Sequence, residues 1–233
     1  RQKYNWSEVY ERSVRLASAI KNAGVKSGEV VTIMAPNIPE MFEAHFGVAM
    51  AGAVLNTLNT RLDTDTIAYI LEHADTRLLI TDAAFGEAMK TALAQTKNKK
   101  IKIIDIIDQQ ASESVSGLRL GEQDYETFLN GADPDYKWQM PADEWQAMCL
   151  NYTSGTSGRP KGVVYHHRGA YLMAMGTIPV WNMPMHPTYL YVVPLFHCNG
   201  WGHAWMMAIV AGTTICCRKI ISEDIYPLIT EHK

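Results

Sequence analysis

Apolar positions along the first hundred residues fall into two alternating rhythms. Over 8–23 the stripe Val9, Leu16 and Ile20, joined by Val14 and Ala17, recurs at helical spacing; Ser7 can cap this helix and Gly24 can end it. Over 30–35 a short run rich in β-branched residues sits between Gly28 and Pro36, the pattern of a buried strand. Pro39 suits the first turn of a helix running to about residue 51, Gly52 ends it, and 53–57 predicts a short strand. The alternation continues with a helix from Asp63 or Thr64 to His73, a strand at 77–81, a helix at 84–95 and a strand at 101–107. Strands separated by helices of this length predict an α/β fold of layered, mostly parallel sheets with crossover helices.

The rhythm lapses at 108–145. This stretch is polar, carries Gly117, Gly121, Gly131, Pro134 and Pro141, and reads as a surface connection with one helix near 125–129. Asp143 and Glu144, like Asp105 and Asp108, read as solvated acids rather than a catalytic pair. Order returns with strands at 147–152 and 162–166, a helix at 168–179, a strand at 188–193, a helix at 200–210, a strand at 213–217 and a last helix at 222–232. The chain thus divides into a first α/β region at 1–107, the connection at 108–145, and a region at 146–233 that holds most of the candidate chemistry.

That chemistry concentrates between the strands at 147–152 and 162–166, in the run Thr153, Ser154, Gly155, Thr156, Ser157, Gly158, Arg159, Pro160, Lys161, Gly162. Glycines let backbone N–H groups converge on an anion without a Cβ in the way. The hydroxyls of Thr153, Ser154, Thr156 and Ser157 add donors, and Lys161 adds a full positive charge. A strand feeding such a loop delivers it to the sheet edge where α/β proteins bind ligands. A flexible linker does not fit, because both flanks are apolar strands. Nor does a Walker A loop: no glycine directly precedes Lys161, and Gly162 rather than Ser or Thr follows it. A polyphosphate grip is the reading that remains.

Composition narrows the partners. Of 233 residues 47% are hydrophobic, which supplies a large core, and the formal charge of −3 is spread without a basic stripe, which excludes a nucleic-acid footprint. The longest nearly apolar stretch, 204–217, is interrupted by Gly212, Thr213 and Thr214, and a bilayer span needs ~20 residues. The start has no apolar signal region. Cys149, Cys198, Cys216 and Cys217 have neither C-x-x-C spacing nor disulfide-framework density, so reduced thiols in a cytoplasmic protein are expected. Adjacent His166 and His167 diverge on a strand and lack a third ligand.

The ten-residue run resembles the signature of the AMP-forming adenylating superfamily, which includes acyl-CoA synthetases, luciferases and peptide-synthetase adenylation domains. YNWSE at 4–8, MAGAVLNTLN at 50–59 and PLFHCNGW at 194–201 resemble further motifs of that family, so the likeness covers nearly the whole chain. It implies the amino-terminal part of an adenylation domain, an α/β fold, and an acid–thiol ligase that uses ATP, magnesium and coenzyme A. A carboxylic acid would be activated as acyl-adenylate and passed to the coenzyme A thiol. The resemblance further implies that Thr153, Ser154, Gly155, Thr156, Ser157, Gly158 and Lys161 bind the phosphates, with Thr153 nearest the magnesium. His197 would orient the carboxylate or shape the acyl pocket, and Trp201 would wall it or belong to the core. The helix at 200–210, with Trp201, His203, Trp205 and Met206, either lines an apolar tunnel or is plain core. The wording around His197 points to short- and medium-chain acids, with 3-methylmercaptopropionate as the specific candidate. Family members are often homodimers and about twice this length, and the adenine, ribose and catalytic-lysine motifs of their later part are not found here. The chain alone is therefore expected to lack adenylating activity. A nucleotide-binding module without chemistry, an adenylating enzyme for aryl or amino acids, and an unrelated phosphotransferase remain alternatives.

Overall fold

The computed structural model describes residues 2–153 and 158–232. In chain order its elements are α1 (Trp6–Asn22), β1 (Val30–Met34), α2 (Pro39–Met50), β2 (Val54–Thr57), α3 (Thr64–His73), β3 (Thr76–Asp82), α4 (Gly86–Gln95), β4 (Lys102–Ile106), α5 (Ser112–Val115), β5 (Gln123–Asp124), α6 (Tyr125–Asn130), β6 (Ala147–Tyr152), β7 (Gly162–His166), α7 (His167–Val180), β8 (Thr188–Tyr191), α8 (His203–Ile209), β9 (Thr213–Cys216) and α9 (Ser222–Glu231). The first six strands and β7 form one sheet in the order β5-β4-β3-β1-β2-β6-β7, parallel throughout except that β7 runs antiparallel to β6. A second sheet pairs β8 with β9 in parallel.

The alternation inside β3 shows how the sequence sets the layers. Leu78 and Ile80 face one core with α1, α2 and α6, whereas Leu79 faces the other with α3 and α4. Both faces are covered, which is why these strands read as continuous apolar runs rather than alternating ones. From β1 the chain passes through α2 on one face to β2; from β2 it passes through α3 on the other face to β3. The carboxyl ends of β1 and β2 therefore flank a switch point, the place where open α/β sheets leave a crevice.

Three expectations change on contact with the structure. The cap of α1 is Asn5 rather than Ser7: its Oδ1 accepts from Glu8 N at 3.0 Å, while Asn5 N donates to Glu8 Oε2 at 2.7 Å. This reciprocal box satisfies two end groups where Ser7 would satisfy one. The 108–145 segment is more than surface: β5 extends the sheet, and Tyr125 and Leu129 of α6 are each 1% exposed in the core. Asp105 is not solvated. It is 1% exposed and accepts from Leu120 N at 2.9 Å and Gly121 N at 2.8 Å, pinning the chain against β4 where an added Cβ at Gly121 would lie 2.4 Å from Ile103 O. Asp108 in turn joins Asp82 on the Arg218 guanidinium, at 3.1 and 2.7 Å.

Where α1, α2 and α6 meet, the core contains acids. Glu43 accepts from Arg12 Nε at 2.6 Å and from the Tyr125 hydroxyl at 2.9 Å, and Arg12 also grips Glu126 and lies over the Tyr4 ring. Glu40, one turn earlier, has no cation bonded to it among the described residues, and burial pushes its carboxyl up to about 8. A carboxyl that holds its proton more tightly when folded loses stability as pH rises from the ordinary carboxylate range towards 8. Glu40→Gln is therefore expected to stabilise the protein by on the order of 3 kcal/mol at pH 8 and to change little at pH 4.5. Denaturant unfolding at the two pH values checks this; equal stability of both proteins at pH 8 would contradict it.

Candidate active site

The crevice between β1 and β2 is filled by the chain that leaves β8. Asn37, three residues beyond β1, is 3% exposed; its amide donates to Tyr191 O at 3.0 Å and Val193 O at 3.1 Å, and its Oδ1 accepts from Leu195 N at 2.7 Å. Thr57, the last residue of β2, donates its hydroxyl to Phe196 O at 2.8 Å and also approaches Asn151 Oδ1 at 3.3 Å. Asn151, next to last in β6, donates to Asn199 Oδ1. Three buried polar side chains, Asn37, Thr57 and Asn151, thus hold the segment 191–199 over the carboxyl ends of β1, β2 and β6. In so dry a place each unmade bond would cost the full desolvation of the group, so the network fixes one arrangement.

His197 sits on this held segment and is exposed, with its own N–H donating to Pro194 O. Immediately after it, Cys198, Asn199, Gly200, Trp201 and Gly202 have φ of 46°, 44°, 57°, 57° and 71°. The helix expected at 200–210 therefore begins only at His203. Left-handed backbone costs about 1–2 kcal/mol at a non-glycine residue, and such strain persists where the surroundings over-determine it. Here the bond from Asn151 and the carbonyl bonds from Asn37 and Thr57 do so.

The turn throws Trp201 outward, 56% exposed, to the rim of a cavity of about 460 Å³. Val164, Tyr165, Met173 and Cys198 are among the other lining residues. Of the two readings open for the 200–210 helix, plain core holds for His203 and Met206, at 1% and 0% exposure. His203 stacks on Tyr189 at 4.4 Å, and Trp205 donates its indole N–H to His45 O. Starting the helix at His203 turns these side chains inward. Burial lowers His45 to about 4, so it is neutral beside the 195–199 backbone.

The Ser/Thr/Gly run leaves the same end of the sheet from β6. Its two stems continue the β6–β7 ladder: Thr153 N donates to Lys161 O at 3.0 Å, and Lys161 N donates to Thr153 Oγ1 at 3.4 Å. Thr153 and Lys161, both exposed, thus face each other across the base of the loop. Gly158 has φ of 151°, a conformation that side chains rarely adopt. Ser154, Gly155, Thr156 and Ser157 lie outside the described residues. Asn151 ties Asn199 two residues ahead of Thr153, and Thr57 ties Phe196 beside it, so the base of the Ser/Thr/Gly run and the His197 segment share one sheet end. His166 has a local use: its Nδ1 accepts from Gly169 N at 2.9 Å and caps α7.

Among the described residues no three His, Cys, Asp or Glu side chains gather to hold a metal, and no helix is long and apolar enough to cross a membrane. The Thr153 hydroxyl fits a magnesium ion only as one ligand among phosphate oxygens, in the manner that ion prefers. All four cysteines are free thiols, and burial pushes Cys216 up to about 12.

Asn37, Thr57, Asn151 and Asn199 were not singled out in the sequence. The available signal was a polar amide within or just beyond an otherwise apolar strand, a place where it needs partners.

The model of the family described as AMP-binding enzyme matches residues 1–233. The chain is 44% identical to the peroxisomal acetate/butyrate–CoA ligase of Arabidopsis thaliana over 100% of its own length and 42% of that protein's. It is 43% identical to the 2-methylpropanoate–CoA ligase of Humulus lupulus, over 98% of this chain and 42% of that one. Among solved structures it superposes on a Mycobacterium tuberculosis fatty acyl CoA synthetase with a TM-score of 0.82 at 20% identity, covering 98% of this chain and 42% of that one. ATP-bound MatB of Rhodopseudomonas palustris gives 0.78 at 18% identity, over 97% and 42%. The chain spans about 42% of the length of the curated relatives it matches.

Proposed function

The chain belongs to the AMP-binding enzyme family, and from that premise we propose that the whole protein is an AMP-forming acyl-CoA ligase for a short-chain carboxylic acid. Residues 1–233 supply the amino-terminal part of its adenylation domain. The observation that carries this reading is the pairing of Thr153 and Lys161 across the stems of a Ser/Thr/Gly loop, beside the held His197 segment.

The chemistry follows from that placement. A carboxylate oxygen of the acid attacks the α-phosphorus of ATP, the bond to the β-phosphate oxygen breaks, and pyrophosphate leaves. Negative charge grows on the leaving group, where the Lys161 ammonium and the loop donors Thr153, Ser154, Gly155, Thr156, Ser157 and Gly158 offset it. A magnesium ion carried by the triphosphate would rest on the Thr153 hydroxyl and neutralise phosphate charge. The coenzyme A thiol then attacks the acyl carbon and AMP departs. His197 orients the acid's carboxylate, and Trp201 walls the acyl end beside the 460 Å³ cavity.

The names of the relatives favour acetate, butyrate or 2-methylpropanoate as the acid, and 3-methylmercaptopropionate is a sulfur-containing acid of similar size. The free thiols accord with a cytoplasmic site of action, whereas the first of these relatives is peroxisomal by name. Nucleotide analysis of the whole protein with these four acids and cinnamate tests the reading. AMP and pyrophosphate are expected with at least one short acid. ADP would indicate a phosphotransferase, and binding without turnover would indicate a module that grips nucleotide and does no chemistry.

A further inference from the structure

Both stems of the 153–161 loop are fastened to one face of α3. Tyr69 and His73 lie one turn apart on that helix, and their rings stack with centroids 5.2 Å apart and planes 29° apart. Against His73 the Tyr152 ring stands edge-on at 5.8 Å, and its hydroxyl lies 2.7 Å from His73 Nδ1. Over the other ring, the Arg159 guanidinium carbon lies 5.3 Å from the Tyr69 centroid. Tyr152 immediately precedes Thr153, and Arg159 stands two residues before Lys161. The four side chains thus form a ladder, Arg159–Tyr69–His73–Tyr152, that leaves one stem and returns to the other.

Core packing accounts for only part of it: Tyr69 and Tyr152 pack half-buried against the core that α3 covers, but that contact explains neither His73 nor Arg159. His73 and Arg159 are exposed and Tyr69 is half-buried, whereas the opposite side of α3, with Ile67, Ala68, Ile70 and Leu71, is what the core holds. That buried side makes α3 a rigid mount. Burial pushes the Tyr152 phenol up to about 12, so its hydroxyl keeps its proton and remains a donor.

We propose that Tyr69 and His73 are positioning residues for the polyphosphate grip, holding both stems so that the charge of Lys161 is aimed before nucleotide arrives. This inference rests on the reading of the loop as a polyphosphate site. A grip ordered in advance spends less of its binding energy on ordering itself when the ligand enters. Loosening the mount therefore weakens nucleotide binding and leaves the acid side alone. A ladder that merely stabilised the fold would lower the melting temperature and would not separate the two substrates.

The test uses the whole protein with Tyr69→Leu, Tyr69→Phe and Tyr152→Phe, reading KM for ATP, KM for the acid, melting temperature and the Kd of ATP by calorimetry. Tyr69→Leu removes the ring under Arg159 and is expected to raise both KM and Kd for ATP about 5-fold. Tyr152→Phe removes the hydroxyl at His73 and is expected to do so about 5-fold as well. Tyr69→Phe keeps a ring face and should restore near-normal ATP binding, and KM for the acid should stay within about 2-fold throughout. Unchanged ATP binding in Tyr69→Leu and Tyr152→Phe, in a protein whose unmodified form uses ATP, would overturn the clamp and leave the functional reading standing. An equal rise in both KM values that follows the melting temperature would also overturn it. If the unmodified protein neither binds nor uses ATP, the functional reading falls and takes this inference with it.

Discussion

Replacing Lys161 with alanine in the whole protein is expected to lower kcat/KM for ATP by about 100- to 1000-fold. The melting temperature should move by no more than about 2 °C. The two halves of this expectation come from different observations. Lys161 is exposed, and its backbone, not its side chain, makes the bonds that close the loop base. Among the described residues the ammonium group has no partner, so it can serve a ligand, and its removal leaves the stems paired. Charge that develops on departing pyrophosphate is where a positioned cation acts most strongly, since it stabilises the transition state more than bound substrate. Lys161→Arg should recover only part of the loss, because a planar fork does not replace a compact point charge at a fixed distance. Steady-state kinetics with ATP varied, together with a melting curve, checks both halves. Near-normal kcat/KM in Lys161→Ala would remove the loop from the chemistry.

The second large effect is on stability. Asn37→Ala is expected to destabilise the protein by on the order of 3 kcal/mol and to free the 191–199 segment from exchange protection. One side chain satisfies two carbonyls and one amide of that segment, all at 2.7 to 3.1 Å, at a site 3% open to solvent. Alanine leaves three backbone groups without partners. Asn37→Asp should be no better, because a carboxylate still accepts from Leu195 N yet turns an oxygen towards the carbonyls of Tyr191 and Val193. Because the same segment carries His197, KM for the acid should rise in Asn37→Ala while the affinity for ATP changes less. Hydrogen exchange resolved along the chain reads the first effect; unchanged protection over 191–199 would show that the network does not hold the segment.

The parallel sheet was legible in the sequence because each central strand is buried on both faces. Such strands become unbroken apolar runs between glycine and proline, and the helices between them carry one apolar stripe. The Ser/Thr/Gly run stands out for a similar reason, since its order of residues has few other physical uses, and its grip on phosphates is the proposal made above. The turn at 198–202 was not legible. Asn199, Gly200 and Gly202 tolerate positive φ, but neither Cys198 nor Trp201 favours it, and the Asn-Gly pair does not announce five such residues in a row. The conformation is imposed by Asn151, Thr57 and Asn37, which lie 47 or more positions away and look unremarkable in their own surroundings. The pattern therefore starts the helix three residues too early and leaves tunnel and core open for Trp201, His203 and Met206, which the backbone separates. Asp105 was misread for a related reason. An acid at the end of a strand is usually solvated, and only the return of Leu120 and Gly121 against β4 gives it two amide donors and closes it from water. The α3 mount was hidden as well, since Tyr69 and His73 look like the wet side of an ordinary amphipathic helix until the loop stems are seen against them.

If the acid's own oxygen attacks the α-phosphorus held beside this grip, that oxygen leaves with AMP, and isotope transfer follows it. The whole protein would be turned over with ATP, coenzyme A and a short-chain acid carrying 18O in its carboxylate, and the products analysed by mass spectrometry. One 18O is expected in each AMP formed and none in pyrophosphate. Label in inorganic phosphate with ADP as the nucleotide product, or unlabelled AMP, would contradict this attack.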